Sequence, residues 1–143
     1  MSFKSLLSHI AVAAVLLMPV AGSTMDLSPA PEGAKVYIVS PADGDEIEGP
    51  VTVIFGLSGM GVAPAGVDKE HTGHHHLIID APLPDPTMPI PADDNHKHFG
   101  KGQTETTIEL APGKHTLQLL LGNFIHVPHA DPVASEIIEI TVK

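Results

Sequence analysis

Between residues 35 and 142 the apolar positions come in short runs, and each run is cut off by glycine, proline or aspartate. Residues 35–39, 51–57 and 114–121 are β-rich runs of strand length, while 104–110 and 135–142 alternate polar with apolar. Alternation with a period of two predicts a strand that buries one face. Residues 74–80 differ: after an opening run of histidines they are apolar on both faces, which predicts a central strand. Ser40-Pro41-Ala42-Asp43-Gly44 and Ala111-Pro112-Gly113 are strong turn signals. No stretch carries a helical period, and there is no internal repeat.

Six such strands predict an all-β fold, an antiparallel immunoglobulin- or fibronectin-like sandwich. The 23 residues from 81 to 103 contain five prolines and are long for a structureless loop. They are expected to cross the sandwich and to supply an irregular edge strand, giving about seven strands in all.

Consecutive strands then run alternately up and down, and this places the histidines. His74, His75 and His76 open the central strand. His96 and His98 precede the strand at 104–110, and His126 and His129 follow the strand at 114–121. If residues 81–103 return across the sheet, all three groups and His71 lie at one end, with His115 at the other. Residues two apart on a strand share a face, so His74 pairs with His76 while His75 points away, and His96 pairs with His98. Imidazole is a good ligand for borderline transition metals at neutral pH. The expected metal ligands are therefore His74, His76, His96, His98, His126 and His129, of which one ion would use three or four. Asp68, Glu70, Asp93, Asp94 and Asp131 are nearby in sequence as carboxylate ligands or as acceptors that orient imidazoles. Met60 and Met88 are read as packing rather than as thioether ligands.

Composition narrows the chemistry. The 143-residue chain has no cysteine, so its site cannot use thiolate and its core cannot rely on disulfides. Lys4 followed by the apolar run 10–20 and the small residues Ala21, Gly22 and Ser23 reads as a signal peptide over 1–23, too short to span a membrane. A Pro-rich leader over 24–34 and one β-sandwich domain over 35–143 follow. The expected location is periplasmic or secreted. Without Lys4 there remain six lysines, no arginine and 17 acids, a net charge of −11. That balance excludes nucleic acid as a partner and suits a cation.

Around His74-His75-His76-Leu77-Ile78-Ile79-Asp80, from Pro89 through His96, His98 and Gly100 to Thr106, and at Pro112-Gly113-Lys114-His115-Thr116-Leu117-Gln118-Leu119, the chain resembles a family of exported bacterial proteins, domain-of-unknown-function family 4399. The resemblance spans about 35–142 and implies a secreted single-domain β-protein without naming an activity. Copper–zinc superoxide dismutases also mount histidines on a sandwich, but their paired cysteines and ligand spacing are missing here. A histidine brace is excluded too, because the expected cleavage leaves Gly or Thr first.

Three functions fit these residues: a metal-binding protein for copper or zinc in storage, delivery or sensing; an adhesion or interaction module whose histidine-rich, pH-sensitive face meets an exported protein partner; and a metal-dependent enzyme. The last lacks a zincin helix, a nucleophile elbow and a phosphate loop.

Overall fold

A computed structural model describes residues 27–143; the export segment read over 1–23 lies outside the described residues. Nine strands follow in order: β1 (Lys35–Ser40), β2 (Glu46–Ile47), β3 (Val51–Ser58), β4 (Gly61–Val62), β5 (Thr72–Ile79), β6 (His96–His98), β7 (Glu105–Ile108), β8 (Gly113–Gly122) and β9 (Ile138–Val142). They form two sheets, one ordered β1-β3-β7 and the other β2-β9-β8-β5-β4, with β6 paired to β5. The result is an all-β sandwich, and no described residue is helical. No helix among the described residues is long and apolar enough to cross a membrane.

The strands read from polarity fall on β1, β3, β5, β7, β8 and β9, and the edge strand expected within 81–103 is β6. The two additions, β2 and β4, are two-residue pairings that run parallel to β9 and β5. Elements so short carry no periodicity to read, so the large sheet is mixed rather than wholly antiparallel.

Alternation decides what each face buries. Leu77 and Ile79 of β5, with Leu117, Leu119 and Leu121 of β8, turn inward onto Val51, Val53 and Phe55 of the small sheet. Phe55 and Phe99 meet in this aliphatic core with ring centroids 4.8 Å apart. Each fully buried leucine contributes on the order of 1.5–3 kcal/mol. The opposite face of β5 and β8 carries His74, His76, Ile78 and Leu120. Ile78 and Leu120 pack with Ile90 in a second, smaller cluster under the loops. β5 and the second half of β8 are thus covered on both faces, which explains why β5 is apolar on both.

The 27–34 segment is docked on the domain. Ala30 and Ala34 pack against the main core, and Ser28 binds the far loop through Ala130 N (2.9 Å) and Asn123 Nδ2 (3.1 Å).

Candidate metal centre

Residues 81–103 do return across the sheet. β6 pairs antiparallel with β5 in a register that sets His98 opposite His76 and His96 opposite Ile78. The return is fixed by a turn in which Asp93 Oδ1 accepts from Asn95 N at 2.9 Å, and Asn95 Nδ2 donates to Ile79 O at 2.9 Å. Asp and Asn at such spacing favour this local bonding over a continued strand. On the other side of β5, β8 ends at Gly122 opposite His74 and hands the chain to the loop bearing His126.

Four imidazoles converge: His74 and His76 from β5, His98 from β6 and His126 from the loop. One ring nitrogen from each lies within 4.8 Å of the others, close enough that the group could hold a metal ion. His74 Nε2 and His126 Nδ1 are 3.2 Å apart. No carboxylate belongs to the group among the described residues.

The convergence lies on the outer face of the large sheet, beside the start of β5, with the 81–95 and 123–135 loops around it. Two halves differ in depth. His74 and His76 are buried, whereas His126 is half-buried and His98 exposed. A cleft of about 180 Å³, lined by His76, His98, His126, Pro89, Ile90 and Ala92, opens the group to the surface.

The six ring-centroid separations define its shape. Five edges span 4.6–5.1 Å: His98–His126, His74–His76, His74–His98, His74–His126 and His76–His98. The sixth, His76–His126, is 6.3 Å.

Burial keeps the inner donors neutral. Desolvation, reinforced by the charges of His98 and His126, lowers His74 to about 4. Desolvation first, then His74, His98 and His126, lowers His76 to about 3. His98 is also lowered, by desolvation and by His126. Neutral imidazole keeps the lone pair that a metal needs. Nδ1 of His74 and Nδ1 of His76 are buried without a protein hydrogen-bond partner.

Sequence reading did not pick out what surrounds the ligands. A Cβ on Gly122 would meet His76 Cε1 at 2.6 Å, and one on Gly100 would meet His98 Nε2 at 2.6 Å. Both glycines make room for imidazoles, and their place next to histidine-bearing strands was the available signal. His126 adopts the left-handed conformation, with φ 68°, which an ordinary side chain rarely takes. Asn123 stabilises that bend: its buried Oδ1 accepts from Ile125 N and Val127 N, both at 3.0 Å. Ile90 N donates to His126 O at 2.8 Å, tying the two covering loops together.

The other two expected ligands stand apart from the four. His96 turns Nδ1 to Asp93 Oδ1 at 2.8 Å. His129 is buried, with Nε2 3.2 Å from Thr72 O, and desolvation lowers its pKa. His75 points into the core against Phe55, at 5.1 Å between centroids, and desolvation lowers it to about 4. His71 lies outside the group, exposed, with Glu70 Oε1 3.5 Å from its Nε2. Met60 packs on the core and Met88 is exposed in the 81–95 loop. Lys97 pairs with Asp94 at 3.5 Å.

No curated protein and no solved structure matches the chain. One family model does, over residues 53–143, which include most of β3, all of β4 to β9 and all four converging histidines; the chain belongs to the family described as a domain of unknown function (DUF4399).

Proposed function

We propose that this is an exported transition-metal-binding protein that holds one copper(II) or zinc(II) ion on His74, His76, His98 and His126 and serves metal storage, delivery or sensing. The observation that carries the reading is the approach of four ring nitrogens, from three separate stretches of chain, to within 4.8 Å of one another. Histidines in polar loops spread into water; these are drawn together, and two are buried at a cost in solvation. All-imidazole donor sets suit both ions, and the Irving–Williams order favours copper where it is available. The acidic surface raises the local concentration of cations. The 1–23 pattern supports periplasmic or secreted placement, where metal is captured outside the cytosol. Among the described residues no carboxylate joins the four rings, and an all-imidazole group favours holding an ion over metal-assisted hydrolysis.

Calorimetric titration of the chelator-stripped protein tests this. One ion per chain with a dissociation constant well below about 1 μM is expected for copper or zinc. Saturable binding no tighter than about 1 μM for either ion would end the reading.

A further inference from the structure

A metal ion with imidazole nitrogens near 2 Å places each ring centroid about 3.2 Å away. A regular tetrahedron then has six centroid edges of about 5.2 Å, and a square has four of about 4.5 Å and two of about 6.4 Å. The four histidines match neither. Five edges lie between 4.6 and 5.1 Å, and one alone, His76–His126, opens to 6.3 Å. That is a see-saw: His76 and His126 spread apart while His74 and His98 stay close. Such an arrangement leaves a coordination position between the spread pair, on the side away from both His74 and His98.

The surface cleft reaches both members of the long edge. It is lined by His76, His98 and His126 but not by His74, and its remaining wall is Pro89, Ile90 and Ala92. No charged side chain lines it. Four neutral imidazoles leave the whole charge of a divalent ion uncompensated, in a partly desolvated site without a carboxylate. At about 180 Å³ the cleft has room for a ligand of a few atoms.

We infer that the metal-loaded centre takes one small monodentate anion as a fifth ligand, bound on the ion between His76 and His126 and housed in the Pro89–Ile90–Ala92 cleft. This rests on the metal-binding reading above and goes further, because it makes the site an anion receptor only when metal is present. The anion displaces at most a water from the ion; no electron is transferred and no covalent bond in the protein changes.

Sodium azide is the probe. Titrated into the copper(II)-loaded protein, it should produce a saturable ligand-to-metal absorption band and a change in the copper EPR spectrum, at one azide per copper, with copper retained. The exposed Ala92 lets the cleft be narrowed without touching a metal ligand. Across Ala92→Val, Ala92→Leu and Ala92→Trp, azide affinity should fall in steps to at least about 10-fold below the parent, while copper affinity changes by less than about 3-fold. A copper-loaded protein whose spectra ignore azide, or which yields its copper to azide, overturns the inference but leaves the metal-binding reading standing. Azide affinity unchanged by Ala92→Trp also overturns it, since the anion would then bind elsewhere. Failure to bind copper or zinc at all overturns both.

Discussion

The two ends of β5 carry histidines of opposite character. At its start, His74 and His76 lie with His98 and His126 in a group that no carboxylate joins among the described residues, and the inner rings are held neutral by burial. Past its other end, Asp80 takes His115 Nδ1 at 2.6 Å on one oxygen and Thr116 N at 2.8 Å on the other, while His115 Nε2 faces Ala111 O at 2.7 Å. Both of those acceptors demand an N–H, so the Asp80 bond first, and the Ala111 bond second, raise the His115 pKa. One end presents lone pairs; the other uses every ring nitrogen to fasten a turn. Histidine count alone does not make a site: what surrounds the ring decides whether it binds a cation or becomes one.

The largest expected difference between these ends is in metal affinity. His76→Ala should lower copper or zinc affinity by more than about 100-fold, whereas His115→Ala should leave it unchanged, as measured by competition with a chromogenic chelator. Equal losses from both variants would erase the distinction.

Gly122→Ala comes next. Its new methyl meets His76 at 2.6 Å and must push that ring out of place. Metal affinity should drop about 10- to 100-fold with the β-sheet circular dichroism retained. Asn123→Ala should act in the same direction by releasing the His126 bend, and a normal titration curve for both would show that the loop and glycine do not set the ligands.

The two ends also respond to pH with opposite sign. A ring kept neutral in the fold, such as His75 or His76, gains its proton more readily in the unfolded chain. Stability from this source is therefore complete above the ordinary 6.5 and is lost as pH falls toward about 4 for His75 and about 3 for His76. The slope is on the order of 1.4 kcal/mol per pH unit for each such histidine. The raised His115 works the other way: its contribution is complete below 6.5 and disappears as pH rises through its folded-state value. Urea unfolding of the metal-free protein at pH 7.5, 6 and 5 should show falling stability, and Asp80→Asn should cost more at pH 6 than at pH 7.5. A metal-free protein as stable at pH 5 as at pH 7.5 would contradict the burial account.

Smallest is the effect of loosening the far end at pH 6. Asp80→Asn should destabilise by about 0.5–1.5 kcal/mol, read from the same urea curves, without altering metal affinity.

Much of this was legible from the chain. The period of two placed six strands, the both-face apolarity of 74–80 marked the central one, and strand alternation brought 74, 98 and 126 together. His74 and His76 share a face because residues two apart on a strand must. Register was not legible. His96 and His98 look equivalent in sequence, but β6 slides so that His98 faces His76 while His96 lies two residues along, opposite Ile78 and bonded to Asp93. The choice between His126 and His129 was hidden as well, because it depends on a left-handed residue held by Asn123 rather than on any period. The convergence was expected at one pole of the sandwich. It occurs beside that pole on the outer sheet face, since β6 joins the sheet directly.

X-ray absorption at the edge of the bound ion, on protein loaded with one equivalent of copper(II) or zinc(II), tests the central claim most directly. Four imidazole nitrogens at about 2.0 Å are predicted, falling to three or fewer in His98→Ala. A first shell dominated by carboxylate oxygen, or one that His98→Ala and His126→Ala leave unchanged, would contradict the four-histidine centre.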